Sequence, residues 1–189
     1  MQLETIIAAS RNEGKIKEII KIFKGARVIS MREAGFEGEI EENGSSFREN
    51  ALIKAKAVAE KLNLPALADD SGLCVDFLGG APGIYSARFS GEGDAANRAL
   101  LLQKMKEATH RQAHFECAVC LYIPGGRTLF GVGRTDGEIC EEERGFGYDP
   151  LFYSYDLKKS FGEATAREKN RVSHRARALK DLMEKLKNF

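Results

Sequence analysis

Two adjacent carboxylates, a hydroxyl and a glycine follow an apolar run at Asp69-Asp70-Ser71-Gly72. Residues 64–68 read as a buried strand that ends there. Neighbouring side chains on an extended chain point to opposite faces, so one carboxylate can face the packing side and the other a cleft. A charge turned toward the core must be paired or hydrogen-bonded. Asp, Ser and Gly are also turn formers, and a plain turn explains the same residues, with residues 73–75 as a return strand.

A second stretch is Ser10-Arg11-Asn12-Glu13-Gly14-Lys15. It stands between a short apolar strand at 5–9 and a helix whose Ile16, Ile19, Ile20 and Phe23 recur at i, i+3, i+4 and i+7. Helix N-termini expose unpaired N–H groups and a positive dipole end, and so bind anions. Ser10 and Asn12 are equally good as ordinary caps. Lys15 puts a cation in the first turn against the dipole, a conflict that a bound phosphate would relieve. The stretch lacks the G-x-x-x-x-G-K-[ST] of a Walker A loop. His174 and Arg175 repeat the misplacement behind Ser173, which should cap a final helix with Leu179, Leu182, Met183 and Leu186 inward. The two openings suggest two approaches to one anionic ligand. An exposed basic helix start is the alternative, at a cost of about 0.3–1 kcal/mol per charge.

Gly145-Phe146-Gly147-Tyr148-Asp149-Pro150 offers an aromatic ring between glycines. Such a ring can take a planar ligand, and base stacking contributes about 1–3 kcal/mol. Asp149 can accept hydrogen bonds from base edges. A turn whose aromatics complete the core accounts for the same residues. Glu39, Glu41 and Glu42 form an acidic cluster that reads either as a solvated loop or as part of a site.

The elements that must position these residues follow from periodicity and punctuation. Gly25 should stop the first helix and residues 27–30 form a second strand, an α/β opening. The next helix starts at Ser46 with Glu49 in capping-box spacing, buries Phe47, Ala51, Ala55, Val58, Ala59 and Leu62, and ends near Asn63. Asn50 and Lys54 lie one turn apart on its flank, where both can face Asp70. Gly79-Gly80-Ala81-Pro82-Gly83 is a tight loop, allowing either close ligand approach or a simple turn. A helix over about 94–106 follows. Residues 113–123 and 127–133, joined by Pro124-Gly125-Gly126, read as a hairpin, so the sheet is mixed rather than Rossmann-like. Gly131-Val132-Gly133 lacks the third glycine and the context of a dinucleotide fingerprint.

The 189 residues fit one domain with a substantial core. Lys plus Arg, 29, nearly balance Asp plus Glu, 28, and a net charge of +1 gives no support for a nucleic-acid or membrane surface. No apolar run approaches the roughly 20 residues of a membrane span. Met1-Gln2-Leu3-Glu4 shows no basic leader, and the cytoplasm is the expected location. Cys74, Cys117, Cys120 and Cys140 are too scattered for a secreted disulfide framework. Cys117 and Cys120 match C-x-x-C, but within a strand they face opposite sides and read as core thiols.

Taken together, Ser10-x-Asn12-x-x-Lys15, Glu49-Asn50-Ala51, Ala68-Asp69-Asp70-Ser71-Gly72-Leu73, the loop at 79–83, Phe146-Gly147-Tyr148-Asp149-Pro150 and Ser173-His174-Arg175 resemble, in order and spacing, the inosine triphosphate pyrophosphatases of the Ham1 type. The resemblance runs from Ser10 to the last helix. It implies an α/β fold, an elongated mixed sheet flanked by helices with two lobes around a central cleft, as a single domain over 1–189. It implies a magnesium-dependent diphosphatase that converts ITP, dITP and XTP to monophosphate and pyrophosphate, usually as a homodimer. By motif, Ser10, Arg11, Asn12, Glu13, Gly14 and Lys15 would hold the triphosphate, with Lys54 and Ser71 also touching substrate. Asp70 would be the general base and a magnesium-associated carboxylate. Glu41 would be the other magnesium ligand, with Glu42 one position away. Phe146 would stack on the base beside Gly147, Tyr148 and Asp149, while Lys169, His174 and Arg175 complete the base and phosphate pocket. A related Maf-type pyrophosphatase and a non-catalytic nucleotide-binding module are the rival readings. Discrimination for a 6-oxo purine would follow from a donor at His174 or Arg175, and the nearby Asp69 would raise the pKa of Asp70.

Overall fold

Alternating apolar residues build the first strands: in β1 (Thr5–Ala8), Ile6 turns to one layer of core and Ile7 to the other. The computed structural model describes residues 3–24, 26–141 and 147–189. Gly25, the expected helix stop, and Gly145 and Phe146 lie outside them. The seven strands form one mixed sheet in the order β2-β1-β3-β4-β5-β6-β7. They are β1, β2 (Arg27–Ser30), β3 (Ala66–Val75), β4 (Gln112–Ile123), β5 (Arg127–Ile139), β6 (Phe152–Ser154) and β7 (Lys159–Ser160). β1 runs parallel to β2 and β3, whereas β5, β6 and β7 pair antiparallel.

The chain divides into two compact units. The first comprises Met1–Asp70, Cys117–Gly133 and Arg175–Phe189. Its sheet is covered on both faces. Helix α1 (Glu13–Ile22) places Ile19 against Ile6 and Leu67, and the last helix, α5 (His174–Leu186), adds Leu179 and Leu182 to the same layer. Helix α2 (Phe47–Leu62) fills the opposite layer with Ala51, Ala55, Val58 and Ala59 against Ile7, Ala66 and Ala68. Each large apolar side chain fully buried in this way contributes about 1.5–3 kcal/mol. α2 starts where expected, with the Ser46 hydroxyl accepting from the Glu49 N–H at 3.2 Å. The Glu49 carboxylate, however, accepts from the N–H of Ser45 and not of Ser46, so the box closes one residue early. Asn63 ends the helix in the left-handed region, at φ 51°.

The second unit comprises Ser71–Glu116 and Arg134–His174. It has one core, in which Leu73, Val75, Ala113, Phe115 and Ile139 from the strands meet Leu101 and Met105 at the inner side and end of α3 (Asp94–Lys104). A short helix, α4 (Ala166–Val172), starts at a complete capping box between Thr165 and Glu168. It buries no side chain, which is why hydrophobic periodicity gives no sign of it.

Two expectations are corrected. β3 does not end at Ala68 with a return strand after a turn; it continues through Asp69, Asp70, Ser71 and Gly72 to Val75. Gly72 allows this, since a Cβ there would lie 2.2 Å from the Gly83 carbonyl oxygen. β5 likewise runs on to Ile139 rather than stopping near Gly133, because its far end pairs with β6.

Candidate active site

The alternation of β3 decides where the two carboxylates go. Leu67 belongs to the layer under α1 and α5, and Asp69 continues that face. Ala68 belongs to the layer under α2, and Asp70 continues that one. Each carboxylate therefore meets different helices.

Asp69 is 1% exposed. Its Oδ2 accepts from Arg175 Nε at 3.0 Å and lies 3.1 Å from Lys15 Nζ. Arg175 also reaches Glu18 on α1. Burial works to raise the Asp69 pKa, but Lys15, Arg175 and Lys54 hold the carboxyl well below the usual range. The two cations that oppose their helix dipoles thus find an anion within the chain.

Asp70, 8% exposed, is held more loosely by charge. Asn50 Nδ2 donates to its Oδ2 at 3.0 Å, and Asn50 Oδ1 accepts from the Gly44 N–H at 2.8 Å. Lys54 Nζ stands 3.7 Å from Asp70 Oδ1 and 2.8 Å from Glu42 Oε2. The flank placement of Asn50 and Lys54 expected from spacing is thus observed. The net effect on Asp70 is a raised pKa, because burial outweighs the pull of Lys54 and Asn50. Burial, not the neighbouring Asp69, is the principal cause. Lys54 is itself raised: burial would lower it, but Asp69, Asp70 and Glu42 prevail.

The other side chains singled out from sequence are distributed as follows. Ser10 Oγ accepts from the Asn12 N–H and Asn12 Oδ1 from the Lys15 N–H, both at 3.1 Å, so Asn12 caps α1 and Ser10 braces the cap residue. Glu13 is exposed and faces Lys17, and Gly14 follows it in the first turn. The Arg11 guanidinium donates to the Gly38 carbonyl, tying this loop to the acidic segment. In that segment Glu41 is exposed, whereas Glu42 reaches Lys54. Ser71 is half-buried in β3.

In the second unit, Arg98 donates to the Gly147 carbonyl at 2.8 Å, and the Tyr148 hydroxyl donates to the Ser86 carbonyl at 3.0 Å. Burial pushes the Tyr148 phenol up from its ordinary value. Lys169 on α4 forms an ion pair with Asp149. The His174 ring stacks on Phe115 with centroids 4.7 Å apart. Phe146, assigned to base stacking, lies outside the described residues. Cys117 and Cys120 are buried in the two different layers of the first unit, and burial pushes the Cys120 thiol up to about 12.

Residues 6–185 match the sequence profile of the Ham1 family. The chain belongs to that family. It is 47% identical over 193 residues to the dITP/XTP pyrophosphatase of Bacillus subtilis (strain 168), covering 97% of this chain and 98% of that one. The Staphylococcus aureus Ham1 protein superposes with a TM-score of 0.88 at 41% identity, covering 98% of this chain and 99% of the other. A HAM1 protein from Coxiella burnetii gives 0.85 at 36% identity, covering 99% and 100%. The mixed α/β sheet described above is thus the Ham1 fold.

Among the described residues no three His, Cys, Asp or Glu side chains gather as a metal cluster. Magnesium, however, usually keeps several waters and binds through one or two carboxylates plus substrate phosphates. Asp70 and Glu42 offer two hard oxygen donors that already share one cation, the Lys54 ammonium. The donor set fits that ion.

Sequence reasoning missed Glu18, the cations that hold Asp69, and α4. The Thr165-x-x-Glu168 spacing is a signal that could have found the helix. Nothing local links Glu18 or Asp69 to a residue more than a hundred positions away.

Proposed function

We propose that this protein hydrolyses purine nucleoside triphosphates with altered bases, dITP, ITP and XTP, to the monophosphate and pyrophosphate. The reading takes its substrate from the curated relatives, which are named dITP/XTP pyrophosphatases. One structural observation carries it: a nearly buried carboxylate, Asp70, oriented by Asn50 and Lys54. A general base must be held in line with the water it activates, and an orienting amide fixes that geometry. Phosphoryl attack needs little covalent chemistry, only a positioned water and neutralised charge.

In this reading Asp70 accepts the proton of the attacking water at a carboxylate oxygen. Lys54, Lys15 and the N–H groups that open α1 neutralise phosphate charge. Magnesium, held by Asp70 with the carboxylate of Glu42 or Glu41, supplies charge neutralisation on the phosphates when bound. Phe146 stacks on the base with Tyr148 and Asp149 beside it, Lys169 and His174 complete the base and phosphate pocket, and Ser71 touches the substrate. Arg175, engaged by Asp69 and Glu18, acts as a fixed positive charge. A homodimer and a cytoplasmic location belong to the same reading and rest on the resemblance.

A product assay with dITP and magnesium tests it. The expected products are dIMP and pyrophosphate in equal amounts. Release of orthophosphate from the γ position would contradict the assignment.

A further inference from the structure

The Lys54 ammonium occupies the two carboxylates that a divalent cation would need. Its Nζ is 2.8 Å from Glu42 Oε2 and 3.7 Å from Asp70 Oδ1, and its side chain is only 12% exposed. The three groups come from three elements: the loop before α2, α2 itself and β3. Asn50, one turn before Lys54, holds the second oxygen of Asp70, so that carboxylate is anchored while the long lysine stem is the adaptable member. A monovalent and a divalent cation cannot share the same pair of carboxylates at contact distance without strong repulsion, least of all in a partly desolvated site.

Building on the proposed function, we infer that Lys54 is a resident counter-ion of the metal-free state, and that magnesium and the Lys54 ammonium occupy the Asp70 and Glu42 carboxylates in mutual exclusion. An ammonium displaced from two carboxylates needs another anion, and the phosphates of the nucleotide are the chemical class that supplies one. Lys54 therefore couples the two loadings. Magnesium alone must expel a well-paired lysine and binds weakly; with a polyphosphate present, the expelled lysine is repaired and both bind better. Such linkage is reciprocal between the two ligands.

The test is magnesium binding to the nucleotide-free protein by titration calorimetry. Lys54→Met is expected to bind magnesium on the order of tenfold tighter than wild type. Equal or weaker binding by a folded Lys54→Met protein overturns the inference. A second measurement serves if that variant fails to fold. In wild type labelled with 13C-lysine, the Lys54 ε-carbon resonance should shift in step with magnesium saturation. A resonance that stays fixed through saturation overturns the inference. Asp70→Asn separates this idea from the reading beneath it. If Asp70→Asn binds magnesium as wild type does, the assignment of Asp70 as a ligand fails. If it loses magnesium while Lys54→Met gains nothing, only the exclusion fails.

Discussion

On one face of β3, Asp69 is gripped by Lys15 from α1 and Arg175 from α5; one residue later, on the other face, Asp70 meets an amide and a shared ammonium. The two are identical in chemistry, adjacent in sequence and both buried. Their environments nevertheless drive their acidities in opposite directions, Asp69 down and Asp70 up. Burial opposes ionisation at both, and the number of committed cations decides the outcome. The contrast separates a carboxylate clamped by cations from two helices from one held by an amide and a shared ammonium of a single helix. It also explains how a single strand can carry both: the pleat alternates, so no extra backbone device is needed.

The largest expected effect on folding falls on the Asp69 side. Asp69→Asn takes the buried carboxylate away from both Lys15 and Arg175 and leaves Arg175 to Glu18, and breaking a buried pair from one end costs about 3–5 kcal/mol. Urea denaturation should show the loss. A cost below about 1 kcal/mol would mean that the network does not hold α1 and α5 to the strand.

Asp70→Asn should behave oppositely in chelator-treated buffer at neutral pH, melting at or above the wild-type temperature. The signs follow from linkage. A depressed folded pKa, as at Asp69, gives stability that is present above the ordinary aspartate value and lost as pH falls through the folded value. A raised folded pKa, as at Asp70, gives stability present below the ordinary value and lost as pH rises through the folded one. Melting curves for the two asparagine variants across about pH 3–8 (a range that brackets the ordinary carboxyl and histidine values) should therefore diverge in slope relative to wild type. Parallel curves would erase the distinction between the two faces.

The smallest effect belongs to the second unit. Thr165→Ala removes the α4 cap and should cost about 1 kcal/mol. Glu168, the other half of that box, is held down to about 2, first by Lys159 and then by Thr165. Its contribution is present above the ordinary glutamate value and fades as pH falls toward 2. Magnesium affinity should be unchanged in Thr165→Ala. A change there would mean that the cap acts on the Asp70 cluster and not only on the helix bearing Lys169.

Much of this arrangement is legible in the residues. The opening strand and helix, the Ser46 and Asn63 ends of α2, the opposite-facing cysteines and the approach of Asn50 and Lys54 to Asp70 all follow from local periodicity and caps. The misread turn at 69–72 has a physical reason. Asp, Ser and Gly favour turns only until distant groups satisfy them, and Lys15, Arg175, Asn50 and Lys54 do so in β3. Similarly, the misplaced cations of two helix starts imply an anion, but nothing local says that Asp69 supplies it. Helix α4 was hidden because it buries no apolar stripe, although its capping box was present in the sequence.

In the proposed hydrolysis Asp70 is the carboxylate that reacts. The direct measurement is single-turnover hydrolysis of dITP by Asp70→Asn, with nucleotide binding followed in parallel. Turnover should fall by about 10²–10⁴-fold, the span of a positioned base, while the folded protein still binds nucleotide. Near-normal turnover in that variant would contradict the assignment and return the two faces of β3 to a purely structural role.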